Sequence, residues 1–257
     1  MAKRFLRRFL RFTGKVIGIF LLIALPCALV FGAWLAGNGW LLYQEADAEK
    51  SIPARVAAVR SRTDYITLEQ MPADYPATVV AVEDRRFYEH GGFDLIAIGR
   101  ALLVNLRTGS FTEGGSTITQ QLAKNLCFSQ DKVLVRKAAE IFAALELERR
   151  YSKDDILELY INTVYYGSDH TGLEAAAQGY FGVPAAFLTP VQRTLLAGLP
   201  KAPSRYSPDF DPELTLRRQA AVVNTLLEQG LITGQRAEYL RSAAPGALAR
   251  WLSPGEG

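Results

Sequence analysis

Residues 114–125 read Gly-Gly-Ser-Thr-Ile-Thr-Gln-Gln-Leu-Ala-Lys-Asn, and residues 83–94 shortly before them read Glu-Asp-Arg-Arg-Phe-Tyr-Glu-His-Gly-Gly-Phe-Asp. The first stretch has the form of a glycine-started helix cap crowded with hydroxyls, amides and one ammonium. Thr117, Gln121 and Lys124 then follow at four- and three-residue steps and line one helix face. The second stretch ends an apolar run, Ala77–Val82, on a carboxylate. Helical signals continue outward from this pair. Pro76 fits a first helical position, with a short helix over 77–84. Asp94 can cap a helix over 95–106 that stops before Arg107-Thr108-Gly109-Ser110. Over 133–151, Leu134, Ala138, Ile141, Leu145 and Leu147 recur at mostly three- and four-residue steps. Ser152 and Asp155 form a capping-box pattern that opens 156–163. Thr189-Pro190 and Asp211-Pro212 are cap and first-turn pairs for two later helices, and Gly230 is a stop for the second. Alternating runs long enough for strands are scarce, and no internal repeat is evident. The predicted fold class is all-α.

From Val16 to Tyr43 there is no Asp, Glu, Lys or Arg. About 20 apolar residues suffice to cross a hydrocarbon core of about 30 Å. Lys3, Arg4, Arg7, Arg8, Arg11 and Lys15 precede the stretch, whereas Glu45, Asp47 and Glu49 follow it. That asymmetry predicts a cytoplasmic N-terminus and an extracytoplasmic remainder at the cytoplasmic membrane, with Trp34, Trp40 and Tyr43 at the exit interface. A cleaved signal peptide is disfavoured by the length; Gly37-Asn38-Gly39 is the nearest cleavage candidate. The expected organisation is a basic tail over 1–15, an anchor over 16–43, a connector over 44–71 and one domain over 72–257. Setting aside the six basic residues turns the formal charge of +3 into −3, which excludes a nucleic-acid partner. Cys27 falls in the span and Cys127 in the outer domain, so they do not pair, and Cys127 reads as a small buried hydrophobe.

Two carboxylates stand out. Glu83 follows an apolar stretch that would desolvate it and raise its pKa into the range of a working base. Taken alone, Glu-Asp-Arg-Arg is an ordinary solvated helix end. Lys137 and Glu140 are three apart and can point into one cleft, and Arg136 with Glu140 also matches a common surface ion pair. Rival motifs lack support. Ser129-Gln130-Asp131-Lys132 fits a transpeptidase Ser-x-x-Lys, but no Lys-Thr-Gly or Ser-x-Asn partner follows. Asp209-Phe210-Asp211 resembles a metal motif of nucleotide-sugar transferases, whose alternating strands and helices are missing here. His90 and His170 have no ligand-spaced neighbours.

In their order, the stretches at 83–94 and 114–125 closely resemble the first two motifs of the family 51 glycosyltransferases, which polymerise peptidoglycan. The similarity runs from about Pro72 to Gly230. It includes Glu148–Lys153, Leu157–Asn162, Ala175–Gly182 and Leu196–Ser204. Relatives commonly carry a Gly-x-Gly-Tyr-Gly-like stretch after the Tyr-Gly of the fourth motif. Here Tyr166-Gly167 is followed by Ser168-Asp169-His170-Thr171-Gly172, and Arg217-Arg218 matches the fifth motif only loosely.

The resemblance implies a lysozyme-like helical lobe beside a small membrane-facing lobe. It implies polymerisation of lipid II, with a lipid-linked glycan chain as donor, into β-1,4-linked strands with inversion and release of polyprenyl diphosphate. By matching position, Glu83 is the base on the acceptor hydroxyl. Glu140 lies near the donor diphosphate, acting directly or through a divalent cation such as Mg2+, and Arg136 belongs to the same motif. Lys124 and Lys137 hold the diphosphate beside Thr117 and Gln121. Asp84, Phe87 and His90 shape the first motif as part of the substrate-binding set, although for His90 alone a structural role is the plainer reading. The implied partners are the lipid substrates, the membrane and other cell-wall synthesis proteins. A lysozyme-like hydrolase would use similar carboxylates but has no need of Lys124 and Lys137. An inactive membrane scaffold has no need of both acids and both lysines. Two further expectations concern the approach to the site. Arg107–Glu113 is expected to form a mobile flap. Phe93, Leu95, Ile96, Ile98, Leu102, Leu103 and Val104 are too many apolar residues for one buried stripe, so their helix either dips into the outer leaflet or is buried all round.

Overall fold

The computed structural model describes residues 2–109, 114–128 and 133–252. In chain order the helices are α1 (Ala2–Glu49), α2 (Ile52–Arg60), α3 (Tyr75–Glu83), α4 (Leu95–Thr108), α5 (Ile118–Cys127) and α6 (Val133–Arg150). After α7 (Lys153–Thr163) comes a two-stranded antiparallel hairpin, β1 (Tyr165–Gly167) and β2 (His170–Thr171). It is followed by α8 (Leu173–Phe181), α9 (Pro190–Leu196), α10 (Pro203–Tyr206), α11 (Pro212–Glu228) and α12 (Gly234–Leu252). The all-α expectation holds, and the hairpin is a local exception to it.

The expected caps form as hydrogen bonds. Asp94 accepts from the amides of Ile96 (2.8 Å) and Ala97 (3.1 Å) at the head of α4. Ser152 and Asp155 close a capping box on α7, and Asp211 caps α11 through the amide of Leu214. Each such cap satisfies amides that a helix start leaves open, worth about 1 kcal/mol.

The hydrophobic centre is built around α5 and α7. Ile118, Leu122 and Ala123 of α5 meet Ile156, Leu159, Tyr160 and Ile161 of α7, all buried. The face of α6 that turns inward is Ala139, Glu140, Ala143, Ala144 and Leu147. This corrects the stripe expected there, because Leu134 and Leu145 are exposed. Close packing against α1 and α5 selects alanine on the inner face and leaves the larger leucines outside.

The segment 44–71 is also more than a connector. Ile52, Val56 and Met71 are buried in the main core. The Asn162 amide exchanges hydrogen bonds with the backbone of Ile66 (3.0 and 2.8 Å), and Glu158 accepts from the amide of Leu68 at 2.8 Å. Side chains of α7 thus stand in for a neighbouring strand and satisfy backbone groups that would otherwise be orphaned.

In the hairpin turn, Ser168 and Asp169 take φ of 47° and 62°, a primed two-residue turn that glycine usually supplies. The side chain of Ser168 contacts Ser207 and Asp209 and holds the loop in that shape. Five of the residues expected to make α4 too apolar, Leu95, Ile96, Ile98, Leu102 and Leu103, are exposed together with Leu106, and Ala101 is the buried residue of that helix. Burial of α4 all round is therefore ruled out.

Candidate active site

Glu83 is the last residue of α3, where the helix ends against a cleft of ≈610 Å³. The cleft is also lined by Asp84, Thr117, Gln121, Lys124 and Lys137, so six of the ten residues singled out in the sequence share one wall-to-wall space. Gly115 makes this possible: a Cβ there would come within 3.0 Å of the Ile98 Cα, so the glycine lets the loop before α5 lie directly on α4.

The Glu83 side chain is 11% exposed. Burial raises its pKa above the ordinary carboxylate value, against the opposing pull of Gln121, Arg218 and Lys201. Gln121 Nε2 donates to Glu83 Oε2 at 3.1 Å, and Tyr160 donates its hydroxyl to Gln121 Oε1 at 3.2 Å. Tyr160 thereby fixes which end of the amide faces the carboxylate. Arg218 approaches Glu83 Oε1 at 3.9 Å, and its Nε donates to the carbonyl of Gly198. A carboxylate that is desolvated but held in one orientation is suited to accept a proton from a hydroxyl in the cleft.

Across the cleft lie the cations. Lys137 Nζ reaches Glu140 Oε2 at 2.5 Å and Ser116 Oγ at 3.1 Å, and its side chain is 42% exposed. Lys124 is pushed below the usual ammonium pKa, first by burial, while Glu140 opposes the shift. Arg85, Arg100 and Lys201 add positive charge along the same walls. Such a concentration of cations on one side of the cleft, with Lys137 partly offset by Glu140, suits it to take up a polyanion.

Other expected site residues have different places. Glu140 is fully buried behind Lys137, and Arg136 Nε lies 3.1 Å from its Oε1. Both of its oxygens face cations, and no group of three metal-capable side chains occurs among the described residues. This donor set does not fit a divalent ion. Glu140 instead orients Lys137 and neutralises the Arg136 charge.

Three residues of the expected substrate-binding set have structural partners in this fold. Phe87 is fully buried, lies 4.4 Å from Lys153 Nζ, and does not line the cleft. His90 contacts Asp84 at 3.0 Å, and Asp84 Oδ2 accepts from the amide of Ile118 at 3.0 Å. This pair pins the start of α5. Thr117 borders the cleft, but its hydroxyl donates to the Gly92 carbonyl at 2.6 Å and accepts from the Gln120 amide at 3.1 Å. Its capacity is used in capping. Of the expected flap, residues 110–113 lie outside the described residues, as do Ser129–Lys132 of the dismissed Ser-x-x-Lys.

The residues that the sequence reading left without a role are Ser116, Tyr160, Lys201, Arg218 and Glu148. Glu148 accepts from the Gly92 amide (3.0 Å), Thr119 (2.6 Å) and Lys153 (2.7 Å), and so joins the two motifs to α6 and α7. Only long-range packing assigns these roles. All five lie within stretches quoted above for the resemblance, Arg218 in the loosely matching pair Arg217-Arg218.

Comparison with known proteins bears on the family of the chain. The family model described as Transglycosylase matches residues 50–227. Penicillin-binding protein 1A of Aquifex aeolicus is 45% identical over 174 residues, covering 68% of this chain and 24% of that protein. Penicillin-binding protein 1A of Escherichia coli is 36% identical over 250 residues, covering 90% of this chain and 29% of that protein. The chain thus spans less than a third of the length of these relatives. A crystal structure of penicillin-binding protein 1A from Haemophilus influenzae aligns over 48% of this chain and 15% of its own, with 26% identity and a TM-score of 0.34.

Proposed function

We propose, from the premise that this chain belongs to the transglycosylase family, that it is a peptidoglycan glycosyltransferase that joins lipid II units into β-1,4-linked glycan strands. The observation that carries this reading is the single cleft holding a desolvated, oriented carboxylate and a bank of cations. In this reaction Glu83 takes the proton from the acceptor hydroxyl as that oxygen attacks the anomeric carbon of the donor. The anomeric bond to the diphosphate breaks from the opposite side, which inverts the centre. Lys124 and Lys137 receive the negative charge that grows on the departing polyprenyl diphosphate. A hydrolase acting on neutral glycan would not use this second half of the site. The direct test is incubation of the detergent-solubilised protein with lipid II. Chains of increasing length are expected, and disappearance of lipid II without longer products would overturn the assignment.

The lipid substrate requires a site at the membrane surface. Among the described residues one helix is long and apolar enough to cross a membrane, with Leu22–Glu49 as the candidate span. We place the N-terminus in the cytoplasm and the catalytic domain outside it, following the distribution of basic residues. The exposed leucines and isoleucines of α4 form a second apolar surface on the element that borders the cleft. In our reading this helix lies in the outer leaflet and brings the cleft to the level of the diphosphate. A chain lacking residues 1–34 is expected to keep binding liposomes and to require detergent. Introducing Leu102→Glu and Leu106→Glu into that shortened chain should release it from liposomes. A shortened chain that stays monodisperse without detergent and ignores liposomes would refute the placement of α4.

A further inference from the structure

Gly39 lies on the side of α1 that meets α6. A Cβ built on it would stand 2.4 Å from the Ala138 Cβ and 3.0 Å from the Ala139 amide nitrogen. Any side chain at 39 must therefore push one helix away from the other, since part of the obstacle is backbone. Tyr43 and Ala46 continue the buried stripe at helical spacing, and Trp40 meets Phe142 edge-on with ring centroids 5.3 Å apart. Beyond the end of α1, the Arg55 guanidinium donates to the carbonyls of Ala46 (2.7 Å), Lys50 (2.7 Å) and Leu126 (3.0 Å). That bracket ties the end of the anchor helix to the end of α5.

The two helices gripped in this way are the ones that carry the cations. Ala138 and Ala139, against which Gly39 rests, lie between Lys137 and Glu140 on the same turn of α6. Lys124 lies on α5. The separation of Lys137 from Lys124 depends on how α6 sits against α5, and the 3.1 Å contact of Lys137 with Ser116 spans the same junction. Charge-assisted hydrogen bonds to one shared anion lose strength steeply with distance and misalignment.

We propose that the membrane anchor is a working part of the diphosphate site, with Gly39 as a positioning residue that sets where α6 presents Lys137 and Glu140. This rests on the reading of the cleft given above. The glycine therefore serves packing at the membrane exit.

The test uses the full chain in detergent and a fluorescent polyprenyl diphosphate, measuring both affinity and the number of sites per protein. Gly39→Val is expected to weaken affinity about tenfold, the size of one lost charge-assisted contact, with the number of sites unchanged. Gly39→Ala should show a smaller loss in the same direction. The double variant Gly39→Ala with Ala138→Gly moves a methyl group from one helix to the other. It should recover part of the affinity lost in Gly39→Ala, because the Ala138 methyl is the nearest obstacle and the backbone behind it remains. Wild-type affinity in Gly39→Val, or a double variant no better than Gly39→Ala, would overturn the inference. So would fewer sites at unchanged affinity, which is the mark of a purely structural role. A wild-type protein that fails to bind the diphosphate would overturn the reading of the cleft itself; binding by wild type and Gly39→Val alike overturns only the coupling.

Discussion

Glu83→Gln is expected to remove polymerisation, with a rate loss of about 10²–10⁴-fold, while diphosphate binding is kept. The magnitude is that of a lost general base. The amide is close in size and can still meet Gln121, so the cleft keeps its shape, but it cannot accept the acceptor's proton. The wild-type pH profile should carry the same signature. Burial holds the Glu83 pKa above the ordinary carboxylate value, so activity should fall on acidification at a higher pH than an exposed glutamate would give. The acid limb should be absent from any residual activity of the variant. Stability should move the opposite way. A carboxyl whose pKa is raised by folding binds its proton more tightly in the folded state, so protonation favours the fold. The ionised form at neutral pH costs stability, and that cost disappears as pH falls below the unfolded value. Glu83→Gln should therefore raise the melting temperature at neutral pH. A variant that keeps more than about half the wild-type rate would exclude Glu83 as the base, because general-base loss is far larger than that.

The parts of this molecule visible in its sequence are those whose cause is local. A cap requires one side chain and the next turn of the same helix, so Asp94, Ser152 and Asp211 could be identified without neighbours. The long apolar helix was equally open to reading, since length and hydropathy are one-dimensional properties of the sequence. The α6 stripe was misread because hydrophobicity ranks leucine above alanine, whereas the close approach of α1 and α5 favours the smaller residue on the inner face. The same approach places a carboxylate, Glu140, among those alanines at full burial.

The site was legible in its membership and less so in its division of labour. Phe87, His90 and Thr117 sit in the same motifs as Glu83 and Gln121, and the sequence gives no sign of which faces the cleft. The structure separates them by where their bonds go. Thr117 and the Asp84–His90 pair are committed to the start of α5, and Phe87 belongs to the core beneath. Their substitution should damage the site by moving Gln121 and Lys124, not by removing a contact to substrate. Tyr160 was hidden for a related reason: its hydroxyl acts on Glu83 only through Gln121, across three helices.

Replacing both lysines, Lys124→Ala with Lys137→Ala, is expected to weaken binding of a diphospho-lipid by about 100-fold, each single change by about tenfold. The two are not equivalent. Lys124 is the more desolvated, and its pKa is depressed by burial with Lys137 and Arg136 nearby. An arriving diphosphate relieves that strain by supplying the missing negative charge, so binding should raise the Lys124 pKa and take up a proton from alkaline solution. Lys137 is already neutralised in part by Glu140, and its removal leaves that fully buried carboxylate with Arg136. Lys137→Ala should therefore cost folding stability as well as affinity, whereas Lys124→Ala should relieve a repulsion and leave the fold at least as stable. Calorimetric binding of the diphospho-lipid at several pH values, with thermal unfolding of each variant, separates the two cases. Unchanged affinity in both single variants would move the diphosphate away from this cleft wall. Equal stability losses in the two would show that Glu140 does not depend on Lys137 for its counter-charge.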